Sequence, residues 1–64
     1  MKKIYVSTNT VKKFEGKVFE SIKAARAEAR KLEGYAVVRL HNIYFKDVCY
    51  GYVVVNPSDY YIEA

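Results

Sequence analysis

Cysteine, histidine, glycine and proline are all scarce in this chain, and each scarcity excludes something. Cys49 is the only cysteine, so no disulfide can close within the chain. Small secreted domains usually carry several such bridges, so a lone thiol points to a reducing, cytoplasmic setting. One Cys and one His, Cys49 and His41, fall short of the four Cys or His ligands that structural zinc requires. The three glycines stand apart from one another, which leaves no glycine-rich loop to cradle a phosphate. No metal or cofactor is expected.

Long apolar runs are also missing. No stretch approaches the roughly 20 residues of a membrane span. The opening Met-Lys-Lys-Ile-Tyr-Val is basic and then apolar, but Ser7 to Thr10 cut the apolar part far short of the roughly 7–15 residues of a secretory leader. No membrane partner is expected. Carboxylates are few and scattered: Glu15, Glu20, Glu28, Glu33, Asp47, Asp59 and Glu63 fall on helix, turns and tail. None sits in a segment apolar enough to raise its pKa for acid–base work. A domain this small has little room for a substrate pocket. The expectation is a protein that is not an enzyme and takes no small-molecule substrate.

What the chain does hold is apolar and aromatic. Hydrophobic residues make up 52% of its 64 positions, ample for a core, and seven tyrosines and three phenylalanines supply much of this. A chain of this length makes one domain, residues 1–64, and buries only roughly 60% of the surface that its unfolded form exposes. Marginal stability, or a partner that adds buried surface, follows. The net charge of +4 is a mild basic bias, which weakly favours polyanions.

Residues 2–8 read as a strand, with Ile4 and Val6 on one face and Lys3, Tyr5 and Ser7 on the other. Val11 to Phe19 reads either as two short arms about Glu15-Gly16 or as a basic loop holding Lys12, Lys13 and Lys17. The helix is the plainest element. Ser21 suits an N-cap and Gly34 a C′ position, and alanines of high helix propensity lie between them. Ile22, Ala25, Ala29 and Leu32 form a narrow apolar stripe at helical spacing. Tyr35 to Phe45 and Val48 to Asn56 read as a hairpin joined through Lys46-Asp47 by a two-residue turn or a four-residue loop, with Pro57 ending the second strand.

The fold expected is therefore α+β, in the order β-α-β-β. It has a small antiparallel-rich sheet of three strands, or four if the 11–19 segment adds one, with one helix on one face. The tight turn pairs Tyr44 with Cys49, Leu40 with Val53 and Val38 with Val55. This makes an aliphatic face, which is the natural one to place under the helix, together with Ile4 and Val6. The tail, residues 58–64, either packs back or stays loose. Cys49 then lies on the helix side and His41 on the open side, so a thiol–imidazole pair is not expected.

Two surfaces are left for function. The open face presents Lys3, Tyr5, Arg39, His41, Tyr50 and Tyr52, aromatic and basic residues of the kind enriched at interface centres. The tail covering this face is the bland alternative. Lys23, Arg26 and Arg30 form a strip on one flank of the helix, more often a solvated face than a phosphate site. The reading is a small binding protein that acts by contact with a protein partner or with itself, as small regulators or inhibitors do, phage and mobile-element proteins among them. An exposed edge strand is a second docking route. The alternative is a nucleic-acid-binding module that uses the same sheet face, with Lys12, Lys13, Lys17, Lys23, Arg26 and Arg30 on phosphates.

Overall fold

A computed structural model describes residues 1–64. Three strands, β1 (Lys3–Val6), β2 (Ala36–Asn42) and β3 (Cys49–Val55), form a mixed α+β sheet in the order β1-β2-β3. β1 runs parallel to the central β2, and β2 antiparallel to β3. The connection from β1 to β2 carries α1 (Thr8–Val11), a 3-10 turn (Lys12–Phe14) and α2 (Ile22–Ala29).

Local chemistry accounts for the helix starts. The Ser7 hydroxyl accepts from the Thr10 amide at 3.2 Å, and the Ser21 hydroxyl accepts from the Lys23 and Ala24 amides, so each satisfies donors that the first helical turn cannot. α2 is shorter than its sequence pattern suggests. It ends at Ala29, and Leu32 and Gly34 lie in the turn beyond, where Gly34 takes φ +79°.

The aliphatic face is the core. Ile4, Val6, Val38, Leu40, Val53 and Val55 are buried there with Phe14, and Val11, Val18, Ala36, Tyr60 and Ile62 pack around them. The sequence reading has α2 covering this face, and the structure differs. The α1–3-10 segment and the tail cover it, with the Phe14 and Tyr60 rings 5.8 Å apart. The chain then rounds the β3 edge, where Phe19 and Tyr52 exchange both backbone hydrogen bonds. α2 packs on β2 and β3 from the other side. Ala25 is fully buried yet forms no part of the aliphatic cluster, and Glu28 and Leu32 share a groove with Phe19 and Val54. The physical reason is side-chain size. The broad aliphatic face needs bulky rings and branched chains to fill it, and residues 11–19 and 58–64 supply them. The narrow alanine stripe of α2 suits a close approach to the side bearing Arg39, Tyr52 and Val54.

The tail completes the sheet as well as the core. Lys3 and Glu63 exchange both backbone hydrogen bonds at the outer edge of β1. Each outer strand is thus paired at one residue, and the edges are less open than a bare three-stranded sheet would leave them.

The hairpin also departs from the tight turn. Residues 43–48 make a six-residue loop, and the pairs are Val38 with Val53, Ala36 with Val55 and Leu40 with Gly51. The two-residue shift keeps parity, so the same aliphatic side chains stay inside. A β-bulge between Leu40 and His41 then breaks the parity of the first residues of β3.

Candidate interaction site

The bulge and the loop together decide which side chains face outward. The bulge sets Tyr50 beside Val11, Phe14 and Val18, on the side of α1, instead of on the face of Tyr5 and Arg39. It also places Cys49 opposite His41, exposed where burial was expected. The Cys49 thiol lies 3.9 Å from the Gly51 carbonyl. His41, expected to be half-exposed, is only 7% exposed, and its Nδ1–H donates to the Lys46 carbonyl at 2.8 Å. The imidazole is thus engaged in holding the loop. Its Nε2 is buried without a partner.

Asn42 is the hub of this end of the molecule. It is 3% exposed, and all its amide capacity is used. Its Nδ2 donates to Thr8 Oγ1 at 3.2 Å and to Tyr50 Oη at 3.0 Å. Its Oδ1 accepts from the Tyr44 and Phe45 amides at 2.8 and 3.0 Å. One side chain therefore ties α1, β3 and the loop to the end of β2. Two backbone bonds add to the hold: the Ile43 amide donates to the Val6 carbonyl at 2.9 Å, and the Val48 amide to that of Phe45 at 2.9 Å.

The loop so fastened is strongly apolar. Tyr44 and Phe45 are 75% and 69% exposed at its crown, and Ile43 and Val48 are exposed on its flanks. Lys46 reaches back over the Tyr5 ring, with Nζ 5.5 Å from the centroid, and the Tyr5 and His41 rings lie 5.5 Å apart. Tyr5, Ile43, Lys46, Tyr60 and Tyr61 line a shallow cleft beside the loop.

Of the residues expected on an open face, Tyr5 remains beside the loop, half-buried. Lys3 is half-buried at the β1 edge, Arg39 and Tyr52 are half-buried on the side that α2 packs against, His41 is buried, and Tyr50 is turned to the opposite side. The set does not form one surface, because α2 covers part of that face and the bulge redirects Tyr50. Of the basic residues, Lys13 and Lys17 converge on one cleft with Tyr35 and Tyr60. Lys12 lies on the 3-10 turn, and Lys23, Arg26 and Arg30 are exposed on α2, across the sheet from that turn. No three His, Cys, Asp or Glu side chains cluster in metal-ligating geometry. No helix is long and apolar enough to cross a membrane.

The crown residues Tyr44 and Phe45 escaped the sequence reading because strict alternation carried β2 through Phe45. The signal that could have found them is Asn42. An Asn at a strand end whose side chain can bond amides two and three residues on marks the start of a loop. No protein-family model matches the chain, and no curated protein or solved structure is significantly similar to it.

Proposed function

We propose that the chain is a small non-catalytic binding protein that acts by protein–protein contact, with the 43–48 loop as its anchor. One observation carries this reading: the most exposed large apolar residues of β2 and its loop, Tyr44 and Phe45, sit on a backbone that a buried Asn42 holds in place. Leaving two rings in water contributes nothing to the core, and fixing their backbone removes entropy that a docking partner would otherwise have to remove. Aromatic anchors on pre-ordered backbone are the usual energetic centre of an interface. Tyr5 and Tyr61 flank the loop and widen the contact. At this size the protein would act by occupying another macromolecule's surface, as a regulator or inhibitor does.

The test is site-specific crosslinking in extract of the native host. A photoreactive phenylalanine replaces Phe45 in one sample and exposed Ala24 of α2 in another. The expected result is one discrete protein adduct from position 45, absent from position 24. The Tyr44→Ser/Phe45→Ser variant should then bind that protein at least about 30-fold more weakly, the loss of a 2 kcal/mol hot spot. Its circular dichroism should be unchanged. Equal affinity of the folded double variant overturns the reading.

A further inference from the structure

The end of the sheet remote from the loop carries a second surface, chemically unlike the first. Two clefts, of about 260 and 490 Å3, meet there, and Lys17, Tyr35 and Val54 line both. Together they make one groove around the end of β3. Lys13 and Lys17 stand along it, and Tyr35, Tyr60 and Phe19 supply aromatic walls. Tyr35 is 41% exposed, at the point where the two clefts join.

Neither lysine of this groove has a carboxylate within 4.0 Å. Of eleven Lys and Arg, only Lys31 lies within 4.0 Å of a carboxylate, that of Glu28 at 3.5 Å. Glu28 is one of two carboxylates on the groove, and it is already paired. Asp59 alone stands against Lys13 and Lys17. An anionic occupant is favoured. A peptide of acidic residues alone would answer the ammonium groups but carries no flat apolar group for the exposed Tyr35 ring. A nucleotide chain answers both, since it carries a phosphate and a flat aromatic base in every unit. A duplex hides its base faces in the stack, so the strand must be single.

We propose that this groove binds single-stranded nucleic acid, with Tyr35 stacking on a base and Lys13 and Lys17 holding neighbouring phosphates. Tyr60 also lines the cleft beside the 43–48 loop, but Lys13, Lys17 and Tyr35 do not, so variants at these three test this reading apart from the other.

The test is fluorescence anisotropy of labelled oligothymidylate with the full chain. Two phosphate contacts predict that affinity falls about sevenfold between about 50 and 200 mM salt. Lys13→Ala or Lys17→Ala should each flatten the logarithmic salt slope by about 0.7. Tyr35→Ala should weaken binding about tenfold and leave the slope unchanged. Tyr44→Ser/Phe45→Ser should change neither. The proposal is overturned by absence of binding at the lower salt, by equal binding of duplex or of polyglutamate, or by a folded Tyr35→Ala variant that binds as tightly as the parent.

Discussion

At the scale of single residues, one buried amide ties together the end of the molecule that carries the 43–48 loop. Asn42 is the meeting point of α1, β3 and the loop, and every one of its hydrogen bonds reaches a different group. Asn42→Ala removes two donors and two acceptor contacts at once and frees the Tyr44 and Phe45 amides from the end of β2. The expected loss is about 2–3 kcal/mol, the low end for four bonds worth about 0.5–1.5 kcal/mol each, because water can reach the exposed partner residues. In urea the midpoint should fall without a change in m-value. Tyr50→Phe, which removes only the hydroxyl, should cost about 1 kcal/mol. Equal losses for the two variants would mean that the amide does not hold the loop.

At the scale of elements, the helix and strands were legible where a local rule suffices. Ser21 caps α2 as its chemistry requires, and the alternation of Val38, Leu40, Val53 and Val55 marks the inside of the sheet. Three features were not legible, because each depends on a partner distant in sequence. The face that α2 covers is set by how bulky residues 11–19 and 58–64 fill the other. The parallel pairing of β1 with β2 depends on the route of that whole connection. The bulge that redirects Tyr50 belongs to neither strand alone. The candidate site suffered most, since its expected members were sorted by a parity that the bulge breaks.

Gly51, at this bulge, shows how tightly the elements meet. It takes φ +136°, and a Cβ there would lie 2.8 Å from both the Phe19 carbonyl oxygen and Val18 Cγ1. The chain rounds the edge of β3 at this point on its way between the two faces, and only glycine lets it lie so close. Gly51→Ala meets both an unfavourable backbone region and a backbone oxygen that cannot turn aside. The expected cost is about 2 kcal/mol or more. Hydrogen exchange should show the Phe19 and Tyr52 amides losing protection first. A variant as stable as the parent would mean that the 17–19 crossing is not fixed against β3.

At the scale of the whole molecule, the tail decides whether there is a folded state at all. A single core in a chain of this size supplies no more than about 3–5 kcal/mol. Tyr60 and Ile62 pack on the core, and Glu63 closes the β1 edge with two backbone bonds of 2.8 and 2.9 Å. Burial of two such side chains in part contributes about 1–2 kcal/mol each, and each backbone bond about 0.5–1.5 kcal/mol. Their sum, about 3–7 kcal/mol, equals or exceeds the whole stability available. Deleting residues 60–64 should therefore leave a chain without cooperative thermal unfolding and with collapsed amide dispersion in its NMR spectrum. Ile62→Ala, a smaller change, should keep the fold and lower its midpoint. This pairing distinguishes a tail that completes the core from one that merely lies on it. In the second case the truncated chain would still unfold in one sharp transition, and the marginal core would have to draw its stability from Phe14 and the aliphatic sheet face alone.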